Sequence, residues 1–358
     1  MSSPRLRPAL EALGAYRPGR RPAPGQDLSR LASNETPFPL LPQVQEAIAK
    51  AVADSNRYPD PGVVGLTDAL AAKHLIDAER LAIGCGSVQL VQELVEIACD
   101  AGEEVVFGWR SFEAYPTLTT IAGALPVQVP LKDAHLDLEA MAAAVSDRTR
   151  LVLLCSPNNP TGPALAHDDV KSFLETVPAH VLVVVDEAYA EFVDDPLAVD
   201  GTRLLSTYPN LVVLRTFSKA YGLAGLRVGY ALCGDPAVAG ALRQVHLPFA
   251  VSVAAQAAAL ASLQVEEQLL AQVAEIVQRR EPLRQGLRAI GWDVPPTQGN
   301  FVWLPTGADT DRVSQVFEDN GVLVRAFSGD GIRITVGTPR DDDRVLAAAR
   351  AALPAGAS

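Results

Sequence analysis

The chain has 358 residues, 48% of them hydrophobic, and a formal net charge of −12. That length buries a sizeable core and fits one large domain with a smaller one, while the acidic balance excludes nucleic-acid and anionic-membrane partners, both of which need a basic face. Cys85, Cys99, Cys155 and Cys233 stand singly, without a CxxC pair or a His/Cys group at zinc-ligand spacing, so no metal is expected and a reducing compartment, the cytoplasm, is.

The first residues, "MSSPRLRPALEALGAYRPGRRPAPGQDL", are rich in Arg and Pro and lack the apolar core of a secretory signal. They read as an irregular arm that wraps onto the smaller lobe. At 81–95, "LAIGCGSVQLVQELV" sets Gly84, Gly86 and Ser87 directly before an amphipathic helix, where unpaired backbone amides and the helix dipole favour an anion such as phosphate. Short β-branched runs follow at 104–107 (EVVF), 150–155 (RLVLLC), 181–185 (VLVVV), 211–215 (LVVLR) and 227–233 (RVGYALC), with helical segments such as 166–177 (AHDDVKSFLETV) between several of them. Runs this apolar are strands covered on both faces, and their alternation with helices predicts an α/β fold built on a three-layer, mostly parallel sheet. The helical stretch at 250–263, "AVSVAAQAAALASL", is too short and too interrupted by Ser and Gln to span a bilayer. From about residue 280 a helical stretch gives way to "FVWLP", "VLVRAF" and "GIRITVG" between polar, Gly-rich turns, a smaller α+β lobe. The expected division is an arm over 1–35, a large domain over 36–270 and a small domain over 271–358.

Ligands of open α/β sheets bind beyond the carboxyl ends of the strands, which directs attention to the residues after each run. After RLVLLC comes "SPNNPTG", in which Asn159 and Pro160 form a stiff turn that fixes a side-chain amide. After VLVVV comes "DEAYAEF", with Asp186 at the strand tip and Tyr189 three residues on. After LVVLR comes "TFSKAYGLAGLR", which holds Thr216, Ser218, Lys219 and Arg227. Taken singly these are ordinary turns and caps, and a lone lysine is usually a solvated amine. Taken together they suit pyridoxal 5′-phosphate, whose aldehyde forms a Schiff base with a lysine, here Lys219. Asp186 is then the partner of the pyridine nitrogen, and Asn159 and Tyr189 those of the phenolic oxygen. Thr216, Ser218, Arg227 and the amides of Gly86 and Ser87 are the phosphate ligands, and the displaced Lys219 is the base.

The motifs "SPNNPTG", "DEAY" and "SKAYGLAGLRVGY", in this order, resemble the fold-type I pyridoxal-phosphate aminotransferases. The likeness runs along nearly the whole chain: "LASNETPF", "NRYPDP", "NFVWLP" and "RITVGTP" fit the histidinol-phosphate aminotransferase subgroup. Within it, "GCGSVQLVQELV" and "VVFGWRSFEAYP" are most similar to the aromatic amino acid (phenylalanine) aminotransferases. The resemblance implies a homodimer with shared active sites, in which Tyr58 of "NRYPDP" reaches the neighbouring subunit's cofactor phosphate. It also implies that Phe112 stacks on the pyridine ring, that Arg333 binds the substrate's anionic group, and that Arg325, Asn34 and Tyr16 belong to segments lining the site.

Histidinol-phosphate enzymes use an arginine in the "VLVR"-like segment and another in "RITVG", across a longer loop, to hold phosphate. Here the connecting "AFSGDGI" is short and carries Asp330. The expected reaction is therefore ping-pong transfer of the amino group from an aromatic amino acid to 2-oxoglutarate, with histidinol phosphate as the rival donor. A pyridoxal-phosphate decarboxylase would use the same lysine and carboxylate, and a non-catalytic ligand-binding protein would use the strand-end groups only as caps.

Overall fold

The apolar runs form a seven-stranded sheet in the computed structural model, which describes residues 7–10, 13 and 27–353. In chain order the strands are β1 (Ser29–Arg30), β2 (Leu81–Gly84), β3 (Glu104–Trp109), β4 (Leu125–Pro130), β5 (Thr149–Cys155), β6 (Leu182–Asp186), β7 (Leu211–Thr216), β8 (Gly229–Cys233), β9 (Phe301–Leu304), β10 (Val322–Leu323), β11 (Arg325–Phe327) and β12 (Gly331–Thr335). The helices are α1 (Pro42–Val52), α2 (Val64–His74), α3 (Ser87–Ala98), α4 (Tyr115–Ala122), α5 (Leu138–Ala143), α6 (His167–Thr176), α7 (Pro236–Val245), α8 (Val253–Gln264), α9 (Glu266–Ile290), α10 (Thr310–Asp319) and α11 (Pro339–Ala352). The large sheet runs β2-β8-β7-β6-β5-β3-β4, and only β8 is antiparallel to its neighbours.

Successive strand side chains leave opposite faces of the sheet, so an uninterrupted apolar run feeds two cores at once. Val106, Val152, Val183, Val185 and Val213 pack into one core, and Val105, Phe107, Leu153, Val184 and Val212 into the other. Leu90 and Leu94 of α3, Leu118 of α4 and Leu242 of α7 cover the second face, while Met141 of α5, Phe173 of α6 and Ala258 of α8 cover the first. The result is the three-layer α/β architecture expected from the sequence. Each fully buried Val or Leu contributes about 1.5–3 kcal/mol relative to exposure.

Two strands differ from the sequence expectation. The run at 227–233 starts pairing only at Gly229, because Arg227 has φ +59°, a left-handed conformation that cannot continue a strand. The run "VLVRAF" is not one strand: Val322–Leu323 pairs in parallel with β1, and Arg325–Phe327 pairs antiparallel with β12. Val324 is the point at which the chain changes partner, and β12 in turn pairs with β9.

The described part of the N-terminal segment is tied to this region. Ser29 Oγ donates to Asp341 Oδ1 at 2.6 Å, and Arg344 Nη2 pairs with Asp27 at 2.6 Å. Asp341 also completes a capping box with Thr338 at the start of α11, so one carboxylate both starts a helix and anchors the arm. Helix α9 runs unbroken through residue 270 and stops at Gly291, whose φ of +117° suits glycine alone. Among the described residues no helix is long and apolar enough to cross a membrane. Cys155 and Cys233 are buried, Cys85 and Cys99 half-buried, and all four are free thiols.

Candidate active site

The strand order reverses beside β3: β4 lies on one side of it, while β5, β6 and β7 continue on the other. Such a reversal leaves a crevice at the carboxyl ends of the strands. A cavity of about 220 Å³ opens there, lined by Ser87, Phe112, Asn159, Asp186, Tyr189 and Thr216, with Ser218, Lys219, Arg227, Arg325 and Arg333 closing the other sides. The ends of β5, β6 and β7 bring Asn159, Asp186 and Thr216 together, and the separate β11–β12 pair brings Arg325 and Arg333 to the same cavity.

One end of the cavity is built for an anion. Helix α3 begins at Ser87 with no acidic residue in its first turn, so its amino-terminal amides keep their partial positive charge. Gly86 precedes it at φ +78°, and a Cβ at that position would lie 2.6 Å from Arg227 Nη2. Glycine therefore lets the guanidinium close over the helix end. Arg227 Nη1 in turn donates to Ser218 Oγ at 3.3 Å and to the Ala224 carbonyl at 3.0 Å.

Lys219 follows β7 and faces the cavity, its Nζ donating to the Ser33 carbonyl at 3.0 Å. Its own surface is only half-buried because the cavity opens outward, yet protein surrounds the amine closely. Burial first, and then the charges of Arg333 and Arg227, lower its pKa to about 7. The amine is thus available in its neutral, nucleophilic form near physiological pH.

Asp186 ends β6 and is buried. Its Oδ2 accepts a hydrogen bond from Tyr115 Oη at 2.7 Å, while Oδ1 has no partner among the described residues. Burial raises the carboxyl's pKa, and the Tyr115 hydroxyl and the Ala188 amide pull it back. A buried carboxylate oxygen left unsatisfied is costly, and its position in the cavity wall marks where a donor belongs.

Arg333, also in the cavity wall, donates from Nη1 to Asn159 Oδ1 at 2.5 Å and from Nη2 to the Ala32 carbonyl at 2.7 Å. Its guanidinium lies 5.6 Å from the Phe301 ring and 5.9 Å from the Phe327 ring. Arg325 Nη2 pairs with Glu113 Oε2 at 2.6 Å. Gly86, Asn34 and Tyr58 are the described members of the expected set that do not line the cavity wall. Asn34 lies behind it, fully buried, and its Nδ2 donates to Tyr189 Oη at 2.9 Å, so it acts on the cavity through the tyrosine. Tyr58 is 80% exposed and stacks on Phe249 with ring centroids 4.4 Å apart, away from this chain's cavity. Tyr16 lies outside the described residues.

The sequence reading missed Tyr115, Glu113, Phe327 and Cys155, of which the last three line the cavity. Tyr115 carried a signal: it follows Phe112 by three residues in "SFEAYP", and the two rings meet edge to face at 5.4 Å. Glu113 carried none, since its partner is 212 positions away. Burial pushes the Cys155 thiol up to about 12, so it is an inert wall residue. Among the described residues no group of three His, Cys, Asp or Glu side chains is placed to hold a metal ion.

Amine–carbonyl exchange is the chemistry these groups support, because a neutral amine attacks carbonyl carbon and a buried carboxylate in the same cavity stabilises a cation. The chain belongs to the family of class I and II aminotransferases, whose model matches residues 26–349. It is 53% identical over 348 residues to an aromatic amino acid aminotransferase of Thermobifida fusca, covering 97% of each chain. It is 52% identical to one of Rhodococcus jostii, covering 96% of this chain and 95% of the relative. Its fold matches the crystal structure of histidinol-phosphate aminotransferase from Sinorhizobium meliloti in complex with pyridoxal-5′-phosphate, with a TM-score of 0.88, 30% identity and 98% of each chain covered.

Proposed function

We propose that the protein binds pyridoxal 5′-phosphate and transfers the amino group of an aromatic amino acid to 2-oxoglutarate. The observation that carries this reading is Lys219, an amine held near neutrality, in one cavity with Asp186 Oδ1, a buried oxygen that lacks a donor. The donor set fits the cofactor. Its phosphate suits the start of α3 with Gly86 and Ser87, together with Thr216, Ser218 and Arg227. Its ring suits Phe112, its phenolic oxygen Asn159 and Tyr189, and its ring nitrogen Asp186. When bound, the cofactor supplies a carbonyl for the amines and a ring that withdraws electrons.

In each half-reaction Lys219 Nζ would carry a proton between the substrate α-carbon and the bound group, and the first oxo acid would leave before the second enters, which is ping-pong kinetics. Asp186 holds a proton on the group opposite it. Arg333 presents a planar fork to the α-carboxylate, and its hydrogen bond to Asn159 fixes the plane of that fork. Phe112, Phe327 and Tyr189 line the cavity with aromatic surface, which suits an aromatic side chain and agrees with the aromatic amino acid aminotransferases among its relatives. A histidinol phosphate donor is the second reading, favoured by Arg325 lying directly across the strand pair from Arg333 and by the likeness to the Sinorhizobium meliloti histidinol-phosphate aminotransferase.

A transamination screen of phenylalanine, tyrosine, tryptophan and histidinol phosphate, each with 2-oxoglutarate, tests the choice. We expect the highest kcat/KM for an aromatic amino acid; a much higher value for histidinol phosphate overturns it. The assembly belongs to the same proposal: a cytoplasmic homodimer, each protomer comprising an arm, a large domain to residue 270 and a small domain beyond it. Exposed Tyr58, Phe249 and Leu247 form an apolar surface that supports such a contact, with Tyr58 serving the partner's site.

A further inference from the structure

Strands β11 and β12 pair with Arg325 directly opposite Arg333. Both side chains enter the same cavity. Like charges opposite one another on a strand pair repel, and two guanidinium groups in that register make a fork for a single dianion. A phosphate group would fill that fork. In this chain the protein supplies an anion of its own: Glu113 lines the cavity and its Oε2 accepts from Arg325 Nη2 at 2.6 Å, with side-chain exposures of 31% and 16%.

The contact is held from both sides. Arg110, three residues before Glu113, pairs with Asp330 in the β11–β12 turn at 2.5 Å, and its guanidinium lies 4.6 Å from the Trp109 ring and 5.6 Å from the Phe327 ring. Two ion pairs therefore clamp the segment after β3 to the β11–β12 hairpin, and Glu113 stays within reach of Arg325. A dianion approaching the arginines must break the Glu113–Arg325 pair and then face the released carboxylate. An α-carboxylate needs only Arg333.

We infer that Glu113 is a specificity-determining residue: by pairing with Arg325 inside the cavity it rejects donors that end in a phosphate. The inference rests on the aminotransferase reading above. Rejection by a fixed like charge is a difference of affinities, so removing the charge relaxes it without creating a new contact.

The test compares the wild-type holoenzyme with Glu113→Gln. It measures kcat/KM for phenylalanine and for histidinol phosphate, and inhibition by inorganic phosphate against whichever donor turns over. In the variant the ratio of histidinol phosphate to phenylalanine is expected to rise, and the phosphate inhibition constant to fall, by about tenfold each, the lower end of what a charge-assisted hydrogen bond contributes. Glu113→Asp, which keeps the charge, restores rejection. If the glutamine variant does not fold, Glu113→Ala serves, since it removes the same charge without crowding the site. An unchanged ratio and unchanged phosphate inhibition, in a variant with wild-type melting temperature and cofactor content, overturn the inference. Failure of phenylalanine, tyrosine and tryptophan all to turn over in the wild type instead refutes the substrate reading, and the phosphate comparison still judges Glu113 on its own.

Discussion

Replacing Lys219 by methionine in protein stripped of cofactor isolates the cost of holding an amine in the cavity. Its pKa falls from 10.5 to about 7, chiefly by burial and then by the charges of Arg333 and Arg227. A drop of that size corresponds to about 5 kcal/mol. The side chain is only half-buried and faces a cavity open to solvent, so screening reduces the expected cost to about 1–2 kcal/mol. The sign follows from proton binding: between pH 7 and 10.5 the unfolded chain binds the proton and the native one does not, so the native state gains stability as pH rises through that window. Below pH 7 the penalty is complete, and above 10.5 it is gone. Methionine does not titrate, so urea unfolding should show a stability advantage of Lys219→Met that is larger at pH 6.5 than at pH 10 by roughly 1–2 kcal/mol. An advantage of equal size at both pH values refutes the claim that burial of a charge is the cause.

With cofactor present, Lys219→Ala is expected to keep its circular dichroism spectrum while kcat falls by about 10⁴-fold or more; near-wild-type turnover with reduced cofactor content would sink the assignment. Asp186→Ala removes the buried carboxylate of the cavity wall and should lower kcat by about 10²–10³-fold, with an unchanged kcat rejecting its electrostatic role. Gly86→Ala places a Cβ against Arg227 at a backbone φ of +78°. The strain of about 1–2 kcal/mol should weaken cofactor retention in equilibrium dialysis by roughly tenfold, and undiminished retention argues against the anion cradle.

The parts of the site legible in the sequence are those attached to strand ends. Asp186 and Lys219 follow apolar runs whose continuity announces burial on both faces, and a polar residue at the tip of such a run has to face the crevice. Gly86 and Ser87 were legible because a glycine turn before an amphipathic helix is a local signal. Glu113 and Tyr115 were not, because their meaning lies in partners brought near by the fold, Arg325 across 212 positions and Asp186 across 71. The split of "VLVRAF" was hidden for the same reason: the chain changes partner at Val324 only because β1 arrives from the arm to claim Val322 and Leu323. Asn34 was legible through its segment, whereas the hydrogen bond from its amide to Tyr189 Oη appears only in the fold.

Net charge and local charge have opposite signs here, and the opposition bears on the substrate. The chain carries −12 overall, yet the cavity is lined by Lys219, Arg227, Arg325 and Arg333 against Asp186 and Glu113. A cleft of one sign enclosed by low-dielectric walls focuses its field, so carboxylate substrates are drawn into a cavity on a molecule whose surface repels them. The cationic groups are not equivalent within it: Arg227 closes on the start of α3, Lys219 is held near neutrality, and Arg325 is balanced by Glu113. In the proposed function Arg333 is the group that receives the α-carboxylate shared by the amino and oxo acids. Removing Glu113 changes that distribution, because it takes away the carboxylate paired with Arg325.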